Sequence, residues 1–419
     1  MTSHRLGVWQ GTAMVLGGVL GPGMLVLPHL AAQAAGPAAV LAWAGLIIVS
    51  VPVAITFALL GLRHPGGGGV AQFAGLALGR WAYAIVGWWF FAVLPIGTLA
   101  GALAGGMYAA QAFGWDAGTA TVIALVLLAS AFAANAAGLR TTGRAQLLLV
   151  CLLLLVLAAA ILTSLPQMSA AQFSPFLPHG AGGVGHAVGV LMFAFVGWEA
   201  ASHLSAEFAH RRGGLLTATG LTLAVVAVVY LGVAVTAAGS GAAQSSVPLT
   251  TMLEAGVGAA ARPVTGVAAL LLTFGAVNTY IAGACRLGVA LGQQHLLPVT
   301  VTATPARSLA TLAVTGAVVA AGVLVQPVGL DPLMRATAAC LAAVTFVGTV
   351  AAVRLLSRGR ARLTAIIAAS LTAVTLILSG SYLAVPAAIA LVGFSARHSA
   401  NRRRSARAAH VRTADGLSR

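Results

Sequence analysis

The segment from Phe193 to Glu207 reads FAFVGWEAASHLSAE, and it places three ionisable side chains in a stretch that is otherwise apolar or small. Glu199, His203 and Glu207 are spaced four residues apart, so in a helix their side chains lie along one face. The whole chain has six acidic residues, and two of them belong to this segment. Because ionisable groups at membrane depth are costly, a chain that places scarce charge there is expected to use it.

The composition predicts a membrane protein. Of the 419 residues, 60% are hydrophobic and 7% are charged, which leaves too little polar surface to cover a soluble globule of this length. Apolar stretches recur along the chain, and about 20 residues suffice for a helix to cross a hydrocarbon core roughly 30 Å thick. We therefore predict an all-α integral membrane protein with twelve transmembrane helices. The predicted spans are roughly 8–34, 37–62, 82–112, 117–138, 145–165, 186–209, 215–239, 263–292, 307–326, 330–353, 363–379 and 381–395.

The arginines predict the orientation, because all 22 basic residues are arginine. With the N-terminus inside, every arginine except Arg262 and Arg335 falls on the cytoplasmic side, which is the bias that the positive-inside rule describes. The N-terminal residues 1–7 and the basic tail 396–419 are then both cytoplasmic. We interpret residues 1–36 as containing the first helix rather than a cleaved secretory signal. The tail is expected to attract anionic lipids rather than nucleic acid, since no aromatic residues are interleaved with its arginines.

Two of the predicted helices contain an interruption near the middle. The first includes residues 17–23, GGVLGPG, where glycine weakens the helix and Pro22 removes a backbone donor. The sixth includes residues 196–199, VGWE, which form a milder interruption. Unwound backbone at membrane depth is tolerated where it lines a cavity, and paired interruptions in two halves of a chain point to a transporter site.

The two interruptions also predict the domain organisation. Their spacing corresponds to two repeats of five helices, and because five is an odd number the second repeat is inverted with respect to the membrane. The repeats are expected to cover residues 8–165 and 186–353. The last two helices, in residues 363–395, lie outside the repeats.

Both interruptions are expected to line one substrate cavity. The residues predicted to contact the substrate are Val19, Leu20, Gly21, Pro22, Gly23, Phe193, Phe195, Val196, Gly197, Trp198 and Asn278. Most of these residues are apolar, whereas Asn278 is a rare polar group at membrane depth. Such a wall suits the side chains of leucine, isoleucine, valine or methionine better than charged side chains. For any one aromatic residue, the alternative is packing against lipid or a neighbouring helix.

Glu199 and His203 are the predicted proton-coupling or gating residues. A charged carboxylate at the bilayer centre costs roughly 2.5–3.5 kcal/mol, so an unpaired Glu199 is expected to be protonated for part of the time. The alternative for Glu199 is a structural hydrogen bond to the first interruption. His203 could relay protons or pack with one nitrogen satisfied, and both roles stay open. Glu207 lies close in sequence to Arg211 and Arg212, which favours an ion pair at the inner face.

Other chemistry is disfavoured by the sequence. Glu199, His203 and Glu207 could chelate a metal ion, but the apolar spans supply no further acidic ligand near their depth. An intramembrane enzyme would need a nucleophile with its base, a pair of membrane aspartates or a chelated metal, and the sequence contains no Gly-x-Ser-x-Gly or zinc motif. A passive pore is disfavoured by the paired interruptions, which serve alternating access. We therefore predict a transporter with no catalytic residues, no metal and no cofactor.

Several motifs resemble those of the amino acid–polyamine–organocation superfamily of transporters. Residues 18–28, GVLGPGMLVLP, are similar to its first-helix glycine motif, and residues 64–73, HPGGGGVAQF, are similar to its segment between helices two and three. Residues 283–287, GACRL, are similar to the end of its eighth helix. Within the superfamily, the stretch from Phe195 to Phe208 most resembles the bacterial exporters of methionine and branched-chain amino acids.

The resemblance implies a leucine-transporter-like fold, in which a five-plus-five inverted repeat is followed by two additional helices. It also implies a protein of the bacterial plasma membrane that exports methionine, leucine, isoleucine and valine by alternating access coupled to the proton gradient. An importer or exchanger of the same fold is the alternative. We expect a monomer or a homodimer.

The chain departs from the family pattern at two places. The family usually has Gly-Ser-Gly or Gly-Thr-Gly where this chain has Gly21-Pro22-Gly23, and in its members the amides and hydroxyl there bind the substrate carboxylate. Pro22 supplies neither group, although the half-helix beginning at Gly23 is still expected to offer free N–H groups to an anion. The second departure is the replacement of the Asn-Pro turn that usually follows the sixth helix by residues 210–214, HRRGG.

Overall fold

The computed structural model describes residues 8–64, 69–138, 143–195, 197–198, 212–326 and 328–395. Throughout these ranges the regular secondary structure is helical, which confirms the all-α prediction for the described part of the chain. Nine helical stretches within them are long and apolar enough to cross a membrane. The predicted total of twelve spans stays a prediction, because the broken helices and the short last helix do not meet that length on their own.

Eight helices precede residue 200 in the described residues. They are α1 (Val8–Val19), α2 (Gly23–Ala35), α3 (Ala39–Arg63), α4 (Gly69–Leu78), α5 (Arg80–Ala112), α6 (Ala117–Ala136), α7 (Gly143–Ser164) and α8 (Gly180–Leu191). Their bounds follow the apolar stretches of the sequence closely; the span predicted at 82–112, for example, corresponds to α5. The short helix α4 was not predicted, because ten residues cannot cross a bilayer and so fall below the length that hydropathy detects.

A second set of eight helices follows residue 211. They are α9 (Arg212–Gly239), α10 (Pro248–Val257), α11 (Ala261–Gln293), α12 (Val299–Thr302), α13 (Pro305–Val325), α14 (Leu330–Leu355), α15 (Arg360–Leu378) and α16 (384–395). Helix α13 ends just before the predicted division between the ninth and tenth spans. Helix α10 was also missed by the sequence, for the same reason as α4.

The helices pack in two groups. Helix α5 is the centre of one group and contacts α4, α6, α11, α13 and α14. The other group contains α1, α2, α3, α8 and α9, in which α2 packs on α8, α3 packs on α8 and α9, and α1 packs on α9. Helix α7 joins the groups through contacts with α1, α9 and α11. Both interrupted helices therefore belong to the second group.

Three glycines spaced four residues apart form a close-packing seam on α5. A Cβ atom added at Gly97 would lie 2.9 Å from Thr337 Cγ2 of α14, and one added at Gly105 would lie 2.7 Å from Thr273 Oγ1 of α11. A Cβ atom at Gly101, between them, would lie 3.1 Å from Pro22 Cγ. Small residues let backbones approach closely, so this seam also positions the first interruption against α5.

Arginine side chains tie together helix ends on the predicted cytoplasmic side. Carbonyl groups of the last helical turn lack an intrahelical donor, and a guanidinium group can supply one. Three arginines do so for helices other than their own: Arg63 donates to Leu355 O (3.4 Å), Arg354 to Ala77 O (3.2 Å) and Arg80 to Gln294 O (3.1 Å).

Candidate substrate site at two helix breaks

The first helix is broken where the sequence predicts it. Helix α1 ends at Val19 and α2 begins at Gly23, so Leu20, Gly21 and Pro22 separate two half-helices. Pro22 occupies the N-cap position of α2 with φ −63° and ψ −12°. A proline there cannot continue the hydrogen-bond ladder of α1, because it lacks the N–H group and its ring crowds the preceding turn. Val19, Leu20, Pro22 and Gly23 are buried, and Gly21 is half-buried.

The sixth helix is also interrupted. Helix α8 ends at Leu191, a single 3₁₀ turn covers Met192–Ala194, and Gly197 has φ +120°. That φ value lies in a region that L-residues rarely adopt, so glycine is required for the chain to turn there. The predicted site residues Val196, Glu199 and His203 lie outside the described residues, as does Glu207, and their roles stay predictions.

The two breaks face each other. A Cβ atom added at Gly23 would lie 2.8 Å from Cδ1 of Phe193, so the ring of the second broken helix covers the start of α2. The Tyr230 hydroxyl of α9 lies 3.2 Å from Val19 O and 3.1 Å from Ala194 O. These two carbonyls are at the ends of the half-helices, where intrahelical donors are missing. One hydroxyl thus lies within hydrogen-bond distance of a carbonyl at each break. Three of the residues predicted to contact the substrate, Val19, Gly23 and Phe193, lie close together here.

Aromatic rings enclose that hydroxyl. The ring centroids of Tyr230 and Trp43 are 5.1 Å apart with an interplanar angle of 74°, and those of Tyr230 and Phe195 are 5.1 Å apart at 82°. Both are edge-to-face contacts, which the ring quadrupoles favour. Phe195 was predicted at the site, whereas Trp43 and Tyr230 were missed. The sequence did hold a signal, since a tyrosine hydroxyl inside an apolar span must find a hydrogen-bond acceptor.

Two other predicted site residues make contacts away from the first break. The Trp198 indole Nε1 donates to Ser50 Oγ of α3 at 3.1 Å, and the ring is fully buried. The Asn278 side chain of α11 accepts from Asn135 Nδ2 of α6 at 2.6 Å. Substrate contact by Trp198 and Asn278 therefore stays a prediction, and each has a structural partner in this conformation.

Tyr280 of α11, which the sequence did not single out, lies at the first break. A Cβ atom added at Gly21 would lie 3.0 Å from Tyr280 Oη, so this hydroxyl reaches the unwound backbone from α11. Asn278 and Tyr280 are two residues apart, and in a helix this separation directs their side chains to different faces. The rotation of α11 turns the tyrosine toward the break, while substrate contact by Asn278 stays a prediction.

A small cavity adjoins the first break. Its volume is about 20 Å³, and its lining residues are Gly17, Leu20, Gly21, Leu149, Val150, Leu153, Leu272 and Ala276. Pockets that hold small-molecule ligands measure roughly 300–1,000 Å³. This cavity therefore holds no amino acid in the present conformation, and its side chains are all apolar.

A family model described as amino acid permease matches residues 6–403, which is nearly the whole chain. The chain belongs to the amino acid permease family. It is therefore a multi-pass membrane protein of a transporter family, in agreement with the superfamily resemblance found in the sequence.

Two relatives and one solved structure illustrate what this permease is similar to. The chain is 32% identical over 362 residues to the uncharacterised amino acid permease YecA of Bacillus subtilis, covering 83% of this chain and 84% of that protein. It is 31% identical over 293 residues to the L-methionine/branched-chain amino acid exporter YjeH of Escherichia coli, covering 68% and 69%. The crystal structure of the Eremococcus coleocola manganese transporter superposes with a TM-score of 0.57 at 15% identity, covering 93% and 92%. At that identity the superposition shows the fold alone.

On the predicted outer side, the permease ties α2 to the connection between α9 and α11. The Tyr108 hydroxyl of α5 donates to Leu25 O and accepts from the Leu249 N–H of α10, the second at 3.2 Å. His29 Nδ1 lies 2.9 Å from Ala243 O. Because α2 is the half-helix that starts at the break, these bonds fix its position relative to α5, α10 and the connection that follows α9.

The acidic residues that the structure describes all have structural roles in the permease. Asp116 caps α6 by accepting from Thr119 N at 2.7 Å, and hydrogen bonds from the Thr119 side chain and backbone hold the pKa of Asp116 below its usual value. Glu254 pairs with Arg262 at 2.6 Å, and Asp331 pairs with Arg335 at 2.7 Å. The two arginines assigned to the outer side are thus both neutralised by a carboxylate.

Within the described ranges, no three His, Cys, Asp or Glu side chains come close enough together to hold a metal ion. Glu199, His203 and Glu207 lie outside those ranges. The expectation of no metal site in the permease therefore stays a prediction.

Proposed function

We propose that this permease is a secondary active transporter of hydrophobic amino acids, and that it exports methionine, leucine, isoleucine and valine across the bacterial plasma membrane. The observation that carries the proposal is the meeting of two broken helices at one place, with Tyr230 bonded to the end of each. Unwound backbone in two halves of a chain, at a shared cavity, is the arrangement used for alternating access.

The apolar surroundings of the breaks support hydrophobic substrates. Phe193 covers the start of α2, and the cavity beside Gly21 is lined by aliphatic side chains. The relative YjeH is named as an exporter of L-methionine and branched-chain amino acids, and the Bacillus subtilis protein BcaP, 25% identical over 246 residues, is named as a branched-chain amino acid permease. Export is the direction we favour, while import or exchange by the same fold is the alternative.

Proton coupling through Glu199 is the second part of the proposal, with His203 as its relay or gate. Of the six acidic residues in the chain, Asp116, Glu254 and Asp331 already act as a helix cap or an ion-pair partner. Glu199 lies two residues after Gly197, at the second break, where its protonation can differ between the outward-open and inward-open states. A membrane potential of 100 mV adds about 2.3 kcal/mol for each charge moved, so a proton that crosses can drive substrate flow.

The full architecture that we propose is a five-plus-five inverted repeat of residues 8–165 and 186–353, with two further helices in 363–395. Both termini, 1–7 and 396–419, would be cytoplasmic, and the arginines of the tail would contact anionic lipids. The protein would act as a monomer or homodimer without a cofactor.

Transport in proteoliposomes tests the function. Labelled L-leucine and L-methionine should move saturably, and an imposed pH gradient should change the rate. Glu199→Gln should remove the response to the pH gradient, whereas the matched control Glu254→Gln should keep it, because Glu254 forms an exposed ion pair of small energetic value. Absence of flux for every amino acid would refute the transporter proposal, and a normal pH response in Glu199→Gln would refute the coupling role alone. Lower intracellular leucine on expression would support export over import.

A further inference from the structure

Pro22 removes donors from the place where a substrate carboxylate would bind. The first N–H groups of a helix point away from its body and carry a partial positive charge, so the N-terminus of α2 is the natural partner for a carboxylate at this break. Pro22, at the N-cap of α2, has no N–H group and no side-chain hydroxyl. The N-terminus of α2 therefore has one N–H donor fewer than it would have with any other residue at position 22.

The remaining donors of that turn are largely engaged or covered. Met24 N donates to Gly21 O at 3.3 Å, and Leu25 N donates to Pro22 O at 3.1 Å, so both N–H groups turn back onto the unwound segment. Gly23, the first helical residue, has the Phe193 ring against it, since an added Cβ would lie 2.8 Å from Cδ1. An incoming carboxylate thus finds an N-terminus at which Pro22 offers no donor, the Met24 and Leu25 N–H groups are engaged, and a phenyl ring packs beside Gly23.

The surroundings of the break favour an apolar group instead. Leu20, Leu149, Val150, Leu153 and Leu272 line the adjoining cavity, and all of their side chains are aliphatic. Once this space opens beyond its present volume of about 20 Å³, an aliphatic side chain that binds there leaves water and loses no hydrogen bond in doing so. The Tyr280 hydroxyl, which approaches Gly21 from α11, is a neutral group that can bond to a carboxylate, an amide or an alcohol alike. The difference in binding energy between substrates therefore comes chiefly from their apolar side chains.

We propose that this permease selects its substrate by the apolar side chain, and that it accepts leucine analogues in which a neutral amide or alcohol replaces the carboxylate nearly as well as it accepts leucine itself. This inference rests on the proposed function, because it concerns the same site. Pro22 is the residue that sets the selectivity, by leaving the carboxylate without donors that serine or threonine at that position would supply.

Substitution of Pro22 is structurally feasible. Its φ of −63° and ψ of −12° are accessible to any L-residue, so an N–H group can be restored without moving the backbone. Gly101 of α5 leaves room for the proline ring, and serine is smaller than proline. Pro22→Ala restores the N–H group alone, and Pro22→Ser restores the N–H group and adds a hydroxyl. Pro28→Ser is the matched control, because it makes the same exchange inside α2, where the new N–H group can bond within the helix.

Competition for labelled L-leucine flux in proteoliposomes tests the inference, with unlabelled L-leucine, L-leucinamide and L-leucinol as inhibitors. For the wild type, the three inhibition constants should agree within about threefold, because no strong charge-assisted hydrogen bond distinguishes them. Pro22→Ser should strengthen inhibition by L-leucine about tenfold, which is the worth of one hydrogen bond to a charged group, and leave inhibition by L-leucinamide unchanged. Pro22→Ala should show a smaller change of the same sign, and Pro28→Ser should match the wild type.

The outcomes separate this inference from the proposed function. If the wild type moves L-leucine but L-leucinamide and L-leucinol fail to compete, the selectivity inference is overturned and the transport function stands. If Pro22→Ser leaves the ratio of the inhibition constants unchanged, the role of Pro22 is overturned. The absence of any L-leucine flux would overturn the proposed function and the inference together. Should the Pro22 variants fail to fold, the wild-type inhibition constants alone still decide the selectivity.

Discussion

Single residues determine the geometry of the break. Pro22 ends α1 because it cannot donate to the preceding turn, and Gly197 permits a φ of +120° that other residues resist. Gly23 has a different task, since its lack of a side chain lets the Phe193 ring approach α2. The lack of a Cβ atom at Gly23 therefore determines how closely the two broken helices approach each other.

Gly23→Ala is expected to destabilise the protein by overpacking. The new methyl group would meet Phe193 Cδ1 at 2.8 Å, and overpacking of this kind costs about 1–3 kcal/mol. The measurement is the melting temperature of the purified protein in detergent, as a double-mutant cycle with Phe193→Ala. In the Phe193→Ala background the cost should largely disappear. Gly45→Ala, where nothing lies within 4 Å, is the control. Equal costs in both backgrounds would show that the Phe193 contact is not the cause.

At the scale of the helices, Tyr230 connects α9 to both broken helices. Helix α9 carries a hydroxyl that bonds to the last carbonyl before each break, at Val19 and at Ala194. A hydroxyl has one proton, so it can donate fully to one of these carbonyls at a time. Trp43 and Phe195 pack edge-on against the tyrosine ring and fix its position. Helix α9 therefore links α1 to α8 through one polar atom in an otherwise apolar cluster.

Removal of that hydroxyl should loosen both half-helices. Tyr230→Phe keeps the ring contacts but leaves the Val19 and Ala194 carbonyls without this donor, and an unsatisfied buried acceptor costs about 1–3 kcal/mol. The melting temperature should fall, and amide hydrogen exchange should accelerate in peptides that cover α1 and α8. Tyr382→Phe, at a half-buried position in the turn Gly380–Leu383, is the control and should change neither quantity. Unchanged exchange in α1 and α8 of Tyr230→Phe would contradict the proposed link.

At the scale of the whole molecule, the arginines have different partners on the two predicted faces. The arginines that cap helix ends, such as Arg63 and Arg354, lie on the predicted cytoplasmic side. On the predicted outer side, Arg262 and Arg335 are each paired with a carboxylate. Pairing with a carboxylate lowers the cost of placing these two arginines outside, and the excess of arginine on the other face is what predicts the cytoplasmic side by the positive-inside rule.

Reporter fusions test this topology. Green fluorescent protein folds inside the cell, and alkaline phosphatase is active outside the plasma membrane. We expect fluorescence from fusions after residue 419 and at Gly359, and phosphatase activity from a fusion at Gly258. Gly258 and Gly359 are matched positions, because both lie between helices at positive φ and a side chain added at either would meet no atom within 4 Å. Fluorescence at Gly258, or phosphatase activity after residue 419, would contradict the predicted orientation.

The sequence by itself determined the class of protein, the bounds of the long helices and the site of the first break. These features depend on residues that are neighbours in the sequence. The length of an apolar stretch determines whether a helix can span a membrane, and a proline between two glycines ends a helix whatever surrounds it. The short helices α4 and α10 were missed, because ten residues are too few to cross a bilayer and so fall below the length that predicts a transmembrane helix.

Only the tertiary structure decided which side chains meet at the break. Tyr230 and Tyr280 lie at the unwound backbone, and Asn278 pairs with Asn135 of α6. That outcome depends on how α9 and α11 are rotated, and rotation is set by packing between residues far apart in the chain, such as Gly105 against Thr273. In helices that are apolar on every side, hydrophobic periodicity does not indicate which face packs against the other helices.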